Sequence, residues 1–114
     1  MGIDIVNVNR FRKIPYSSHK KFYKKIFTQS EIKYCLKFRN PYTHFAGKFA
    51  IKEAVKKSIS NKITMLNIKT GHSKSKPLVS IDGEHYHFFV SVSHENDLAI
   101  AVVISLKKSN KTPV

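Results

Sequence analysis

The chain reads as an α+β protein, with helices first and a small, mostly antiparallel sheet after them. Three observations predict this class. Apolar residues recur at helical spacing up to Ile59, and after Ile59 the pattern turns into short β-prone runs separated by turn signals. A single β-prone segment stands ahead of the helices.

That segment, "IDIVNV", places Ile3 and Ile5 on one strand face and Asp4 and Val6 on the other. "NVNRFRKIP" predicts a short helix that stops before Pro15, since proline disfavours helix in the residue preceding it. In "SSHKKFYKKIF", Phe22 and Ile26 lie four apart, as do Tyr23 and Phe27, with lysines between them. "TQSE" is a capping box: Thr28 and Glu31 can each satisfy the other's free backbone N–H. It opens a helix with Ile32, Cys35 and Leu36 on the buried face, ended by "RNPY". The long helix over residues 45–59 carries a stripe of Phe45, Phe49, Ala50, Val55 and Ile59. Then follow a strand "ITMLNIKT", a loop "GHSKSKP", a strand "LVSI" and a turn at Asp82–Gly83. "HFFVSVS" and "LAIAVVISL" form a hairpin joined by "HEND", and the polar tail "KKSNKTPV" is expected to fray. With no repeat or linker, residues 1–114 make one domain.

Lysine and arginine number 21 against seven acids, a formal charge of +14, so the partner should be negative: nucleic acid, an anionic membrane, a phosphorylated small molecule or an acidic protein. The lone Cys35 rules out an intrachain disulfide and suits a reducing compartment, where it packs as a small hydrophobe. No apolar run is long enough to span a bilayer, no signal-peptide core is present, and "MGIDIV" lacks the Ser or Thr of a myristoylation site. A soluble, cytoplasmic protein is expected.

Against so few acids, Asp4 on the first strand and Glu53 among Lys48, Lys52, Lys56 and Lys57 stand out. Carboxylate oxygens suit Mg²⁺, which takes one or two of them together with phosphate oxygens and water. Lys57 lies one turn beyond Glu53 on the same face, where an ammonium could share a pyrophosphate's charge. The simpler alternative is an i,i+4 surface pair between the two. The six histidines, with His85 and His87 alternating on one strand, show no zinc spacing, and the four glycines form no phosphate-binding loop. "HKKFYKKIF" suits either nucleic acid or an amphipathic helix with snorkelling lysines.

"GIDIVNVNRF", "IFTQSE", "FAGKFAIKEAVKK" and "VSVSHENDLAIAVVI" occur in the order found in the short bacterial phosphopantetheinyl transferases. Over nearly its whole length the chain resembles that family, the holo-acyl-carrier-protein synthases. The resemblance implies the 4′-phosphopantetheinyl transferase fold and Mg²⁺-dependent transfer of 4′-phosphopantetheine from coenzyme A to a serine of apo-acyl carrier protein. It releases 3′,5′-ADP and serves fatty acid biosynthesis. Asp4 and Glu53 match the family's metal ligands, and Lys57 its pyrophosphate-contacting lysine; Glu53 and Lys57 thus stand as catalytic. Lys48 and His94 match positions near the coenzyme A pocket. Arg10, Lys21 and Phe22 match the region that docks the acidic carrier protein, which leaves neither nucleic acid nor a membrane as partner. Short members of the family form homotrimers with sites between subunits. The chain departs from its relatives in "SISNKI", where they commonly have a glycine-rich turn, and in having only Met1 ahead of the "GID" motif.

Overall fold

The computed structural model describes residues 1–108; most of the predicted frayed tail lies outside the described residues. Strand β1 (Gly2–Asn7) leads into helices α1 (Asn9–Arg12), α2 (Lys20–Ile26), α3 (Gln29–Leu36) and α4 (Pro41–Ser58). Strands β2 (Ile68–Ser73), β3 (Lys76–Ile81), β4 (Tyr86–Glu95) and β5 (Leu98–Lys107) follow. The β4–β5 hairpin accepts β1 on its free side, giving an antiparallel sheet of order β1-β5-β4, while β2 and β3 pair as a separate hairpin.

Helix α4 lies across β1 and β5, and small residues allow the approach. Ala50 and Ala54 on the helix and Ala99 and Ala101 on β5 are fully buried. Gly2 is required outright: a Cβ there would stand 1.9 Å from the Ala54 carbonyl oxygen. The other end of the core is aromatic. Phe45 packs against Tyr23 and Phe27 with ring centroids 4.8 and 5.0 Å apart, and the Tyr23 hydroxyl donates to the Ile14 carbonyl at 2.8 Å. The β4–β5 turn is tied to α1, where Arg12 bridges to Asp97 at 2.7 Å and Val8 N–H donates to the Asp97 carbonyl.

The capping box forms as read: Thr28 N–H donates to Glu31 Oε1 at 2.8 Å and Glu31 N–H to the Thr28 hydroxyl at 3.2 Å. Its glutamate does more than cap. Lys52 Nζ reaches the same Oε1 at 2.7 Å, and also donates to the carbonyls of Ile26 (2.7 Å) and Met65 (3.0 Å). Glu31 Oε2 accepts the N–H and hydroxyl of Thr70 on β2. A fully buried ion pair thereby joins α2, α3, α4 and β2. Burial pushes the Glu31 carboxyl up, but the bonds from Lys52, Thr70 and Thr28 outweigh it and hold it below its ordinary 4.5.

Several expectations are corrected. Helix α4 begins at Pro41, four residues before Phe45, because proline is well suited to a first helical turn. Leu36 is exposed, so α3 buries only Ile32, Cys35 and Glu31. Residues 63–67 are not strand; Met65–Asn67 form a 3-10 turn and β2 starts at Ile68. The expected loop over residues 71–77 is largely strand, closed by a two-residue turn in which Lys74 and Ser75 both take positive φ, +49° and +67°. His85 lies outside β4 and does not share a strand with His87. Of the paired residues in α2 and its end, Tyr23 and Phe27 are buried, while Phe22 is exposed and Ile26 half-buried. Ile3 and Ile5 face outward, and the inner face of β1 holds Val6 with Asp4 partly covered.

Glu31→Gln keeps the side chain's shape but strands the Lys52 ammonium in the core. We expect a loss of about 3–5 kcal/mol in urea unfolding at neutral pH. Because the folded carboxyl titrates below its unfolded value, its stabilisation is present above pH 4.5 and fades as pH falls through the folded value. The variant should therefore lose less stability than the parent between neutral and strongly acid pH.

Candidate active site

Two groups of polar side chains stand on different sides of α4. The first lies where β1 crosses the helix. Asp4, held on the inner strand face, receives Lys57 Nζ at 2.8 Å, and the same ammonium donates to the Ile3 carbonyl at 3.1 Å. Lys57 thus pairs with Asp4, and not with Glu53 as the surface-pair reading would have it. Its ammonium is raised above the ordinary lysine value, chiefly by the Asp4 hydrogen bond, with further help from the charge of Glu53. Glu53 itself is half-buried one turn before Lys57.

Among the described residues no group of three His, Cys, Asp or Glu side chains could hold a metal. The first group thus offers two carboxylates at most. Two carboxylates fit Mg²⁺, which completes its shell with water and substrate phosphate, and do not fit a metal that needs an all-protein cage. Asp4 already attracts a cation in the form of the Lys57 ammonium.

The second group faces a recess of about 160 Å³ between α3, α4, the β2–β3 hairpin and β4. Lys48 is buried there, donating to the Thr70 hydroxyl at 3.0 Å and lying 4.7 Å above the Tyr34 ring. Burial lowers its pKa. His94 comes in from β4, its Nε2 3.3 Å from the Thr43 carbonyl and close over Gly47, where a Cβ would stand 3.2 Å from Nε2. His44 and His72 line the same recess. Lys48 and Glu53 are five residues apart, or about 140° around the helix, so one chain does not bring the two groups together.

Arg10 is exposed on α1 with its guanidinium 5.2 Å over the Phe49 ring. Lys21 and Phe22 stand exposed on α2. The segment without glycine after α4 needs none. Ile59 is extended at φ −119°, and among the described non-glycine residues only Lys74, Ser75 and Asn96 have positive φ. The last helical carbonyl, Ser58 O, accepts the Ser105 hydroxyl at 2.8 Å.

The sequence reading missed Lys52, His44 and His72. Lys52 left a signal: offsets of three, seven and ten from Phe45 put Lys48, Lys52 and Val55 on one helix face. Two lysines therefore sit inside the apolar stripe and need buried partners. His44 and His72 carry no such mark, since they meet only through tertiary packing.

This small α+β protein, with Asp4 of its first strand paired to Lys57 one turn beyond Glu53, has the fold of the phosphopantetheine-transferring enzymes. Residues 1–103 match the family model of the 4′-phosphopantetheinyl transferase superfamily, and the chain belongs to that superfamily and, within it, to the holo-[acyl-carrier-protein] synthase family. It is 40% identical over 107 residues to the holo-[acyl-carrier-protein] synthase of Thermodesulfovibrio yellowstonii, covering 91% of this chain and 95% of that one. The Chlamydia caviae synthase is 34% identical over 116 residues, covering 93% and 95%. Among solved structures, the Helicobacter pylori synthase in complex with coenzyme A superimposes with a TM-score of 0.79 at 34% identity, covering 92% of this chain and 98% of that one. A Bacillus anthracis synthase in complex with CoA (3′,5′-ADP) gives 0.78 at 30%, covering 95% of each.

Gly47→Ala separates helix stability from the geometry of the recess. Alanine favours a helix interior by about 0.8–1 kcal/mol over glycine, yet the His94 ring must shift by tenths of an ångström to admit the methyl group. The unfolding midpoint should not fall, while the His94 imidazole resonances move in an NMR spectrum.

Proposed function

We propose that this protein transfers 4′-phosphopantetheine from coenzyme A to a serine of apo-acyl carrier protein, acting as one domain over residues 1–114. The observation that carries this reading is the 2.8 Å contact between Asp4 and Lys57, one turn beyond Glu53 on α4, in a chain that aligns along nearly its whole length with synthases. In the reaction the serine oxygen loses its proton and attacks the β-phosphorus of coenzyme A. The bond from that phosphorus to the bridging oxygen breaks, and 3′,5′-ADP leaves. Asp4 and Glu53 would hold Mg²⁺, which when bound offsets the charge of the pyrophosphate. Lys57, on the same side of α4, turns its ammonium from Asp4 toward the phosphates and neutralises the leaving group. Lys48 and His94 bind the nucleotide end. Arg10, Lys21 and Phe22 dock the carrier, whose acidity answers the net charge of +14.

Oligomerisation completes the site in this reading. A recess of about 160 Å³ is smaller than the roughly 300–1,000 Å³ of a pocket for a whole small molecule, and the acid pair lies on another side of α4. The outer face of the sheet supplies a means of joining copies. Ile5, Phe89 and Leu106 are each more than half exposed, with Ile3 and Ile104 beside them, and the register places Ile104 opposite Phe89, and Ile3 and Ile5 opposite Val102 and Ile100. An apolar sheet face of this kind calls for a partner; a homotrimer with each site between two subunits satisfies it. Among the described residues no helix is long and apolar enough to cross a membrane, and the assigned setting is the cytoplasm, where Cys35 stays reduced within the core.

Mass spectrometry of apo-acyl carrier protein incubated with the protein, coenzyme A and Mg²⁺ tests the reaction. One added phosphopantetheine is expected, abolished by EDTA and by Glu53→Gln without loss of fold; full activity of Glu53→Gln at saturating Mg²⁺ would remove Glu53 from the ligand set. For the assembly, Ile104→Asp should convert trimers to monomers in sedimentation and take transfer with them, although it alters no residue of either polar group.

A further inference from the structure

Two lysines of α4 are buried against one carboxylate. Lys48 and Lys52 lie one turn apart on the same helix face, with 4% and 0% of their surface exposed, and Glu31 opposite them is 2% exposed. The carboxylate does not serve both lysines alike. Lys52 Nζ donates to Glu31 Oε1 directly at 2.7 Å, and the Thr28 N–H donates to the same oxygen at 2.8 Å. Oε2 accepts from Thr70 twice, through the N–H at 2.8 Å and through the hydroxyl. Lys48 stands one group further out, where its Nζ donates to the Thr70 hydroxyl oxygen at 3.0 Å.

Donor and acceptor chemistry fixes the direction of this chain. An ammonium only donates and an ionised carboxylate only accepts. The hydroxyl proton of Thr70 must therefore lie toward Glu31, and the hydroxyl lone pairs toward Lys48. A β-branched side chain on a strand has few χ1 choices, and the backbone bond from Thr70 to Glu31 holds the main chain in place as well. With Oε2 occupied twice by Thr70, Lys48 has no opening onto the carboxylate, and the Lys52–Glu31 pair is closed without it. One positive charge is left over in the buried network, at the end that lines the recess. The Tyr34 ring, its centroid 4.7 Å from Lys48 Nζ, supports the ammonium on another side.

We propose that Thr70 is a positioning residue for the transfer reaction: its hydroxyl, oriented by Glu31, turns the Lys48 ammonium toward the recess and keeps it from pairing with that carboxylate. Thr70 acts through Lys48 and needs no contact of its own with substrate. The inference rests on the reading above, in which Lys48 binds the nucleotide end of coenzyme A. Without the hydroxyl, Lys48 folds onto Glu31 as Lys52 does, and its charge is neutralised inside the wall. Because Lys48 lies on another side of α4 from Glu53 and Lys57, the loss falls on coenzyme A binding and not on the chemical step.

Calorimetry of 3′,5′-ADP binding to the full-length protein and its variants tests the assignment. Thr70→Ala should weaken binding about tenfold, the scale of one charge-assisted hydrogen bond, and Thr70→Ser, which keeps the hydroxyl, should bind as the parent does. In carrier modification the same loss should appear as a raised KM for coenzyme A with kcat unchanged. The decisive comparison is made in Lys48→Met: there Thr70→Ala should cause no further loss of affinity, because the residue it acts through is gone. An equal loss in both backgrounds means that Thr70 only shapes the fold, and overturns the proposal. Parental affinity in Thr70→Ala overturns it too, as does a Thr70→Ser variant as weak as Thr70→Ala. If Thr70→Ala fails to fold, Thr70→Val, which keeps the branched shape and the backbone bond to Glu31, is read against the same outcomes. If the parent modifies the carrier and its affinity for 3′,5′-ADP is indifferent to Thr70, this inference alone fails. If the parent neither binds 3′,5′-ADP nor modifies the carrier, the functional reading falls with it.

Discussion

Lys52 and Glu31 form the contact on which the arrangement of elements depends. A buried ion pair is weak evidence for net stability, since desolvation offsets much of the attraction. What this pair supplies is position. The Lys52 ammonium donates to the end of α2, to Glu31 on α3 and to the turn before β2. Glu31 in turn receives the first backbone N–H of β2's middle, at Thr70, together with its own cap. Any other docking of these elements leaves a charge unmatched in the core, so alternatives are disfavoured by more than lost packing. The same Thr70 binds Lys48, which makes the wall of the recess an extension of the network that fixes the fold.

The second constraint is steric. The absence of a side chain at Gly2 lets β1 settle on Ala54, and that approach sets Asp4 over the outer turns of α4. The 2.8 Å reach of Lys57 to Asp4 follows from it. The "GID" and "FAIKEAVKK" motifs are thus two sides of one contact: glycine permits it and the acid two residues on uses it.

Charge is distributed by role. Lys48 and Lys52 are buried and individually partnered, Lys57 is held by Asp4, and the lysines of α2 stand in solvent. A net charge of +14 therefore describes several environments at once. Only the exposed portion acts at long range on an acidic partner, while the buried lysines act over a hydrogen bond's length, where screening by salt is weak. The outer face of the sheet, by contrast, is apolar, with Ile3, Ile5, Phe89, Ile104 and Leu106 exposed.

The sequence by itself determined the α+β order, the capping box and the β4–β5 hairpin, and it marked Asp4, Glu53 and Lys57 as candidates, because periodicity, cap chemistry and motif are local or nearly so. Tertiary structure decided which amphipathic face turned inward. Alternation in "IDIVNV" allows either face to be buried, and only the glycine-permitted approach to α4 turns Ile3 and Ile5 out. It likewise decided that Lys52 is a core residue, that Lys74–Ser75 is a tight turn without a glycine, and that His44, His72 and His94 share one recess. The placing of Lys52 and of the histidines depends on contacts between residues 21 to 51 positions apart, where no local pattern constrains the partner and desolvation of the whole assembly selects it.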